Sequence, residues 1–344
     1  MASSEESLYL PDDCLILIFK LVTDGCDDRE YSRYLKSLSS KSKQLLSITN
    51  NFQFSLTIYT ATLPYPRRLF QRFPNLTSPN LSRCYTADIP SFHRELNGLL
   101  RKISRLPLKL TSLNISNKAI IPASGLRDLS QNITTLTSLT CSNILSVTST
   151  HMFLIADCFP LLEELDLSRR GRLINIVGGV EALSLALFKL RRVNLSGHEY
   201  INDKLLLHLF KNCKLLEEAI IFRCRQLTRA GMASALLERP TLRSLSFTRY
   251  FEIHEHALFF EFIRNCPSLT EIKVEYQCGR VQIAEYPNLM NFVLNPQLKS
   301  LSLVFNRWLT NEKMEAFASS FPNPITCMKK VFVKFYRDVV RLDI

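Results

Sequence analysis

At 344 residues, 46% hydrophobic and 22% charged, the chain has the composition of a folded protein with room for two domains or one extended array, and not that of a disordered one. Its net charge of +12 is uneven: residues 1–30 carry eight acids against two bases, whereas residues 65–109 carry nine bases (Arg67, Arg68, Arg72, Arg83, Arg94, Arg101, Lys102, Arg105 and Lys109) against Asp88 and Glu95. Nine glycines, with neither G-x-G-x-x-G nor G-x-x-x-x-G-K-[ST] present, exclude the usual nucleotide sites, and no apolar run approaches the ~18 residues of a membrane span, since even "ALFFEFI" holds Glu261.

"MASSEESLYLPDD" opens with acids where a secretory signal would carry positive charge, so the expected location is cytoplasm, nucleus or both. "LPDDCLILIFKLV" then reads as a helix, with Pro11 suited to a first turn and Asp12 and Asp13 complementing the positive end of the helix dipole. Cys14 to Phe19 is apolar on every side, and a short helix of that kind needs cover on all its faces. "YLKSLSSKSKQLLSIT" is expected as a second helix that covers one face, which leaves the other for a second protein. Residues 1–50 are read as this helical module and 51–75 as a junction, with "FSLTIY" left open as a strand that caps the next domain.

From residue 76 the chain repeats. Leucines or their substitutes recur at offsets of zero, three and five: Leu110/Leu113/Ile115, Leu136/Leu139/Cys141, Leu162/Leu165/Leu167, Leu190/Val193/Leu195, Leu216/Ala219/Ile221, Leu242/Leu245/Phe247, Leu269/Ile272/Val274, Leu298/Leu301/Leu303 and Met328/Val331/Val333. The intervals are 26, 26, 28, 26, 26, 27, 29 and 30 residues. Leu76/Pro79/Leu81 is a degenerate earlier copy, because Pro79 lacks the N–H a central strand uses. This period with these leucines predicts an α/β leucine-rich-repeat solenoid of about nine repeats over 76–344, with a parallel concave sheet and convex helices. Eight gaps at roughly 4.8 Å give a concave arc of roughly 40 Å, suited to a protein surface.

Helical patterns fill the spaces, as in "THMFLIADC", "VEALSLALF", "DKLLLHLFKNC", "RAGMASALLE", "HALFFEFIRNC" and "NEKMEAFASSF", with Asp203, Thr228 and Asn311 expected as N-caps. Cys158, Cys213 and Cys266 precede the first leucines at 162, 216 and 269 by three or four residues, which implies one shared packing site for small free thiols in a reducing compartment. The five N-x-[ST] sequons, at Asn75, Asn80, Asn114, Asn132 and Asn194, are read as chance.

Counting each first leucine as zero, positions two, four, six and seven should face the concave side. Position seven brings Arg169, Arg223, Arg249, Tyr276 and Phe305; position two alternates Arg192 with Glu164, Glu218 and Glu271, and Phe222 stands at position six. Arginines and aromatics are the residues enriched where proteins bind, so Arg169, Arg192, Phe222, Arg223, Arg249, Tyr276 and Phe305 are the candidate target-binding residues. The competing expectation is a solvated face whose charged columns pair with each other. The six histidines are dispersed, and no metal, cofactor or catalytic motif is present in the sequence.

"LYLPDDCLILIFKLV" followed by "YLKSLSSKSKQLLSIT" resembles an F-box, with the family's leucine–proline pair at Leu10 and Pro11 and its I-F pair at Ile18 and Phe19. An F-box ahead of cysteine-containing leucine-rich repeats resembles the plant-type F-box/LRR family. The resemblance departs at "KSKQL", where Lys41 stands in place of a valine and Leu45 in place of an aromatic. It implies a non-catalytic substrate-recognition subunit of an SCF-type (Skp–cullin–F-box) ubiquitin ligase. Leu10, Pro11, Leu15, Ile18, Phe19, Leu35 and Leu38 would dock a Skp-type adaptor, and through it a cullin–RING ligase, while the repeats hold an unidentified target. Two other readings stay open: an adaptor-independent repeat scaffold with a decayed F-box, and a basic segment from Pro66 to Lys109 that binds nucleic acid or an anionic surface. The second is disfavoured because its charges are scattered and carry no nucleic-acid motif.

Overall fold

The middle leucines of the nine repeats meet side by side. The structure, a computed structural model, describes residues 10–24, 26, 28–62, 65–84, 89–169, 177–250, 266–277, 299–305, 330–334 and 339–342. Within it Leu113, Leu139, Leu165, Val193, Ala219, Leu245, Ile272, Leu301 and Val331 pair in unbroken register across nine consecutive strands. These strands are β3 (Ser112–Asn114), β4 (Ser138–Thr140), β5 (Glu164–Asp166), β6 (Arg192–Asn194), β7 (Glu218–Ile221), β8 (Ser244–Tyr250), β9 (Glu271–Gln277), β10 (Ser300–Phe305) and β11 (Lys330–Lys334). They are preceded by β1 (Ser55–Thr57) and β2 (Ser78–Asn80) and followed by β12 (Val339–Leu342). All twelve lie in one sheet in chain order, parallel throughout except β12, which turns back antiparallel on β11. "FSLTIY" is therefore a strand of the repeat sheet. Pro79 is accommodated inside β2, which is registered to β3 through the single pair Asn80–Asn114.

In β3 to β6 positions three and five are buried, whereas two and four are not, so these strands alternate between core and concave face. Four strands, β2, β3, β5 and β6, end in a side-chain turn: the Oδ1 atoms of Asn80, Asn114, Asp166 and Asn194 accept from the N–H two residues on, at 2.8–3.1 Å. Three of the five sequons, at Asn80, Asn114 and Asn194, are thus N-x-Ser turns that close a strand. A second recurring device stands at position eight. There Cys84 Sγ donates to Ile58 O, Lys118 Nζ to Leu81 O, and Cys224 Sγ to Leu195 O; His198 Nε2 lies 2.7 Å from Leu167 O. These side chains reach back to strand-end carbonyls of the preceding repeat, and burial lowers the Lys118 pKa to about 8.

On the convex side lie α4 (Pro66–Arg72), α5 (Ile89–Ser104), α6 (Ala123–Asn132), α7 (Ser149–Cys158), α8 (Val177–Ala186), α9 (Asp203–Asn212) and α10 (Arg229–Glu238). Eleven residues before the first leucine, Gly125, Gly179 and Gly231 occupy alternate helices, each at a close approach. A Cβ would come within 2.9 Å of Asn97 Cα at Gly125, 2.7 Å of Met152 Sδ at Gly179, and 1.9 Å of the Asp203 carboxylate at Gly231. Helices α5 and α6, α7 and α8, and α9 and α10 accordingly pack more closely than α6 with α7 or α8 with α9.

Thr228 caps α10 as expected, accepting from Gly231 N–H at 3.1 Å. Asp203 does not cap α9. Asn202 does, accepting from Leu205 N–H, and the Asp203 carboxylate instead binds the N–H and hydroxyl of Thr228 in the next repeat. Asn311 and the helical patterns at 256–265 and 311–321 lie outside the described residues. Cys213 and Cys266 do share one buried site, their thiols directed at backbone carbonyls, and burial raises their pKa values to about 12 and about 11. Cys158 does not share it: it ends α7 half-buried, and Phe159 takes the equivalent place. None of the eight described cysteines is bonded to another. Among the described residues no helix is long and apolar enough to cross a membrane.

Ahead of the sheet stand α1 (Asp12–Thr23), α2 (Asp28–Ser39) and α3 (Lys43–Asn51). The stretch expected as one second helix is broken at Ser40–Ser42. Ser42 caps α3 by accepting from Leu45 N–H, so its side chain competes for the backbone that a continuous helix would need.

Candidate functional site

Two surfaces qualify, one on α1 and one where the repeat turns leave the sheet. Phe19 anchors α1, only 3% exposed, between Phe52 (ring centroids 4.7 Å apart) and Tyr31 (5.9 Å). The Tyr31 hydroxyl donates to Phe52 O, and Gln44 Nε2 donates to Leu10 O and Asp12 Oδ1, tying the start of α1 to α3. This fixes the helix by one edge and leaves the rest of its apolar row bare: Leu17 is 59% exposed, Ile18 47% and Leu21 67%, with Leu10 and Val22 also exposed.

Of the expected docking residues, Leu10, Pro11 and Ile18 are therefore on the surface and Leu15 and Leu38 half-buried. Phe19 and Leu35 are interior residues that hold the module together. Leu17, Leu21 and Val22 were not singled out by motif matching; the all-round apolarity of the stretch was the signal for them. Lys41 is exposed in the α2–α3 turn, on no helix face, and Leu45 is half-buried in the first turn of α3.

The second surface depends on what the chain does at position seven. In the repeats of β3, β4, β6 and β7 it turns there in the left-handed region, at Asn117 (φ 61°), Asn143 (54°), Gly197 (81°) and Arg223 (59°). Glycine is required at 197, since a Cβ there would lie 2.1 Å from Arg169 O. In β8, β9 and β10 the backbone instead continues as strand, which places Arg249, Tyr276 and Phe305 in mutual register; their side chains lie outside the described set.

Between these turns opens a recess of about 390 Å³ whose lining includes Ser168, Arg169, Ser196, Phe222, Arg223 and Glu275. Arg169 is 6% exposed, and desolvation lowers the pKa of its guanidinium. Arg223 reaches Glu275 at 3.3 Å, and Glu275 also accepts from the Thr248 hydroxyl. Lys273 Nζ stands 5.5 Å from the centre of the Phe222 ring.

Arg169, Phe222 and Arg223 are thus brought together, and Arg192 is not among them. It lies lower on the sheet, its Nε and Nη2 both 2.6 Å from Glu218 Oε2, beside a second pair of Arg191 with Glu217 at 2.7 Å. These lower charges pair from one strand to the next within a single column, not between the columns of positions seven and two, whereas the recess is lined by two arginines and one carboxylate.

No protein-family model matches the sequence, and no curated protein does. Among solved structures, a chain from the crystal structure of the Rad7 and Elc1 complex in yeast is similar with a TM-score of 0.50 at 16% identity, covering 87% of this chain and 90% of that one. At that identity the likeness speaks for the fold alone, an α/β repeat solenoid.

Proposed function

We propose that this chain is the substrate-recognition subunit of an SCF-type ubiquitin ligase. Its helices α1–α3 act as an F-box that docks a Skp-type adaptor and, through it, a cullin–RING assembly. The concave face binds a target protein destined for ubiquitination and proteasomal degradation. The chain carries out no bond chemistry itself; it raises the effective concentration of the target's lysines near the transferring enzyme. It works in the cytoplasm or nucleus.

The observation that carries this reading is the bare row of Leu17, Ile18, Leu21 and Val22, with Leu10 just ahead of it, on a helix fixed by its opposite edge. Apolar side chains in such a row favour a partner that removes them from water. A chain of similar fold has been crystallised in the complex of Rad7 and Elc1, which supports a part in an assembly.

Equilibrium binding of the full chain to a purified Skp-type adaptor tests the proposal. Ile18→Asp should leave the circular dichroism unchanged and weaken binding at least about tenfold, as for a buried interface anchor. A folded wild-type chain without affinity for the adaptor would sink the ligase reading and leave an adaptor-independent scaffold.

A further inference from the structure

We infer that the recess between the turns of β4–β7 is a subsite for a phosphoryl group carried on a side chain of the target. The inference deepens the target-binding half of the proposed function and does not depend on adaptor docking.

Its first support is chemical. Arg169 and Arg223 line one recess of about 390 Å³ with Ser168 and Ser196. Guanidinium forks and hydroxyls are the donors that match a tetrahedral, multiply charged oxyanion. The carboxylates nearby are committed: Glu275 is held by Arg223 and Thr248, and Asp166 accepts from Ser168 N–H. A phosphoryl group can take over Arg223 from Glu275 while keeping Arg169.

The second support is energetic. Arg223 stands at φ 59°, where two equivalent turns carry asparagine and one glycine. A left-handed conformation disfavours a long side chain, and Asn or Gly would fill the turn at lower cost. Arg169 is buried and its charged form desolvated, which also opposes folding. Two arginines kept in unfavourable places around one recess are accounted for by what they hold. Phe222, whose ring faces Lys273 Nζ at 5.5 Å, supplies an apolar wall for the residue that carries the phosphate.

The test uses the full chain and immobilised heptapeptides of degenerate sequence centred on phosphoserine, on serine or on glutamate. Arg223→Asn restores the residue used in the sister turns and should keep the thermal midpoint. Arg191→Gln removes an exposed charge outside the recess. The proposal expects capture on phosphoserine over serine by roughly tenfold or more, lost in Arg223→Asn and kept in Arg191→Gln.

Equal capture on phosphoserine and serine would overturn it, as would equal weakening by the two variants, the mark of diffuse charge. Equal capture on glutamate would overturn the phosphoryl assignment. Should inorganic phosphate raise the thermal midpoint of the wild type but not of Arg223→Asn, while no peptide is captured, the target-borne source is overturned in favour of free phosphate. Adaptor binding measured on Arg223→Asn should match wild type. A chain that binds phosphopeptide but no adaptor would sink the ligase reading and leave this one standing.

Discussion

Helices α1 and α9 are of similar length and both rich in leucine, yet they handle their apolar residues in opposite ways. α9 buries Leu205, Leu206, Leu209 and Phe210 against its own sheet and neighbouring helices, whereas α1 buries Phe19 and leaves Leu17, Ile18 and Leu21 in water. Each repeat helix has a preceding and a following repeat to lean on. Among the described elements α1 packs on α2, α3 and the residue that follows α3, Phe52, and these cover one edge. The same composition is thus an internal requirement in one place and an unmet one in the other.

A pair of substitutions puts this contrast at greatest risk. Phe210→Ala should lower the free energy of unfolding by about 3–5 kcal/mol, the usual cost of removing a buried aromatic. Leu21→Asp should change it by less than about 0.5 kcal/mol, as expected of an exposed site. Chemical denaturation of both variants checks this, and comparable losses would mean that the α1 row is covered within the chain.

Next in size is a pH effect confined to the solenoid interior. His198 is buried with Nε2 against Leu167 O, and burial lowers its pKa from 6.5 to about 4. The folded state thus holds the neutral form, while the unfolded chain takes up a proton near pH 6.5. The stabilisation is complete above that value and is lost as pH falls towards 4, by on the order of 3 kcal/mol. Unfolding free energies at about pH 7.5 and about pH 4.5 should differ less in His198→Gln than in wild type. Parallel pH dependence in the two proteins would place the histidine in contact with water.

The smallest effect is expected on the lower concave face. Arg192 and Glu218 form a close but solvent-exposed pair, with the arginine side chain 54% exposed. Arg192→Gln should therefore cost no more than about 1 kcal/mol, and in binding assays should act like a rim charge and not like Arg223. A large loss of target affinity would move the recognition surface down the sheet.

The sequence announced the solenoid because the offsets of zero, three and five are set by backbone geometry: a parallel strand can bury only alternate residues, and the period must match one strand plus one helix. The pairing of Leu113 through Val331 follows from that alone. Features set by competition between neighbours were not legible. Asn202 and Asp203 are both good caps, and only the next repeat's Thr228, which claims the aspartate, decides between them. Ser42 interrupts a stretch whose apolar spacing is otherwise continuous. The recess was half legible: Arg169, Phe222 and Arg223 were marked by residue type, but Arg192 was marked with them because residue type alone does not separate position two, low on the strand, from positions six and seven at the turn. The long reach of Lys118 and His198 to strand-end carbonyls left no signal, since position eight is filled by cysteine, lysine, isoleucine and histidine alike.

The glycines at 125, 179 and 231 recur every second repeat, so the true period of the convex side is two strands and two helices. Adjacent helices approach each other through a notch in one partner only, which makes consecutive repeats unlike halves of one building block. An array assembled this way can lengthen or shorten by whole blocks and keep every notch opposite a side chain. Loss of a single repeat would set glycine against glycine or bulk against bulk, opening a gap or a collision at the seam. Length variation in proteins built on this plan should accordingly come in even numbers of repeats.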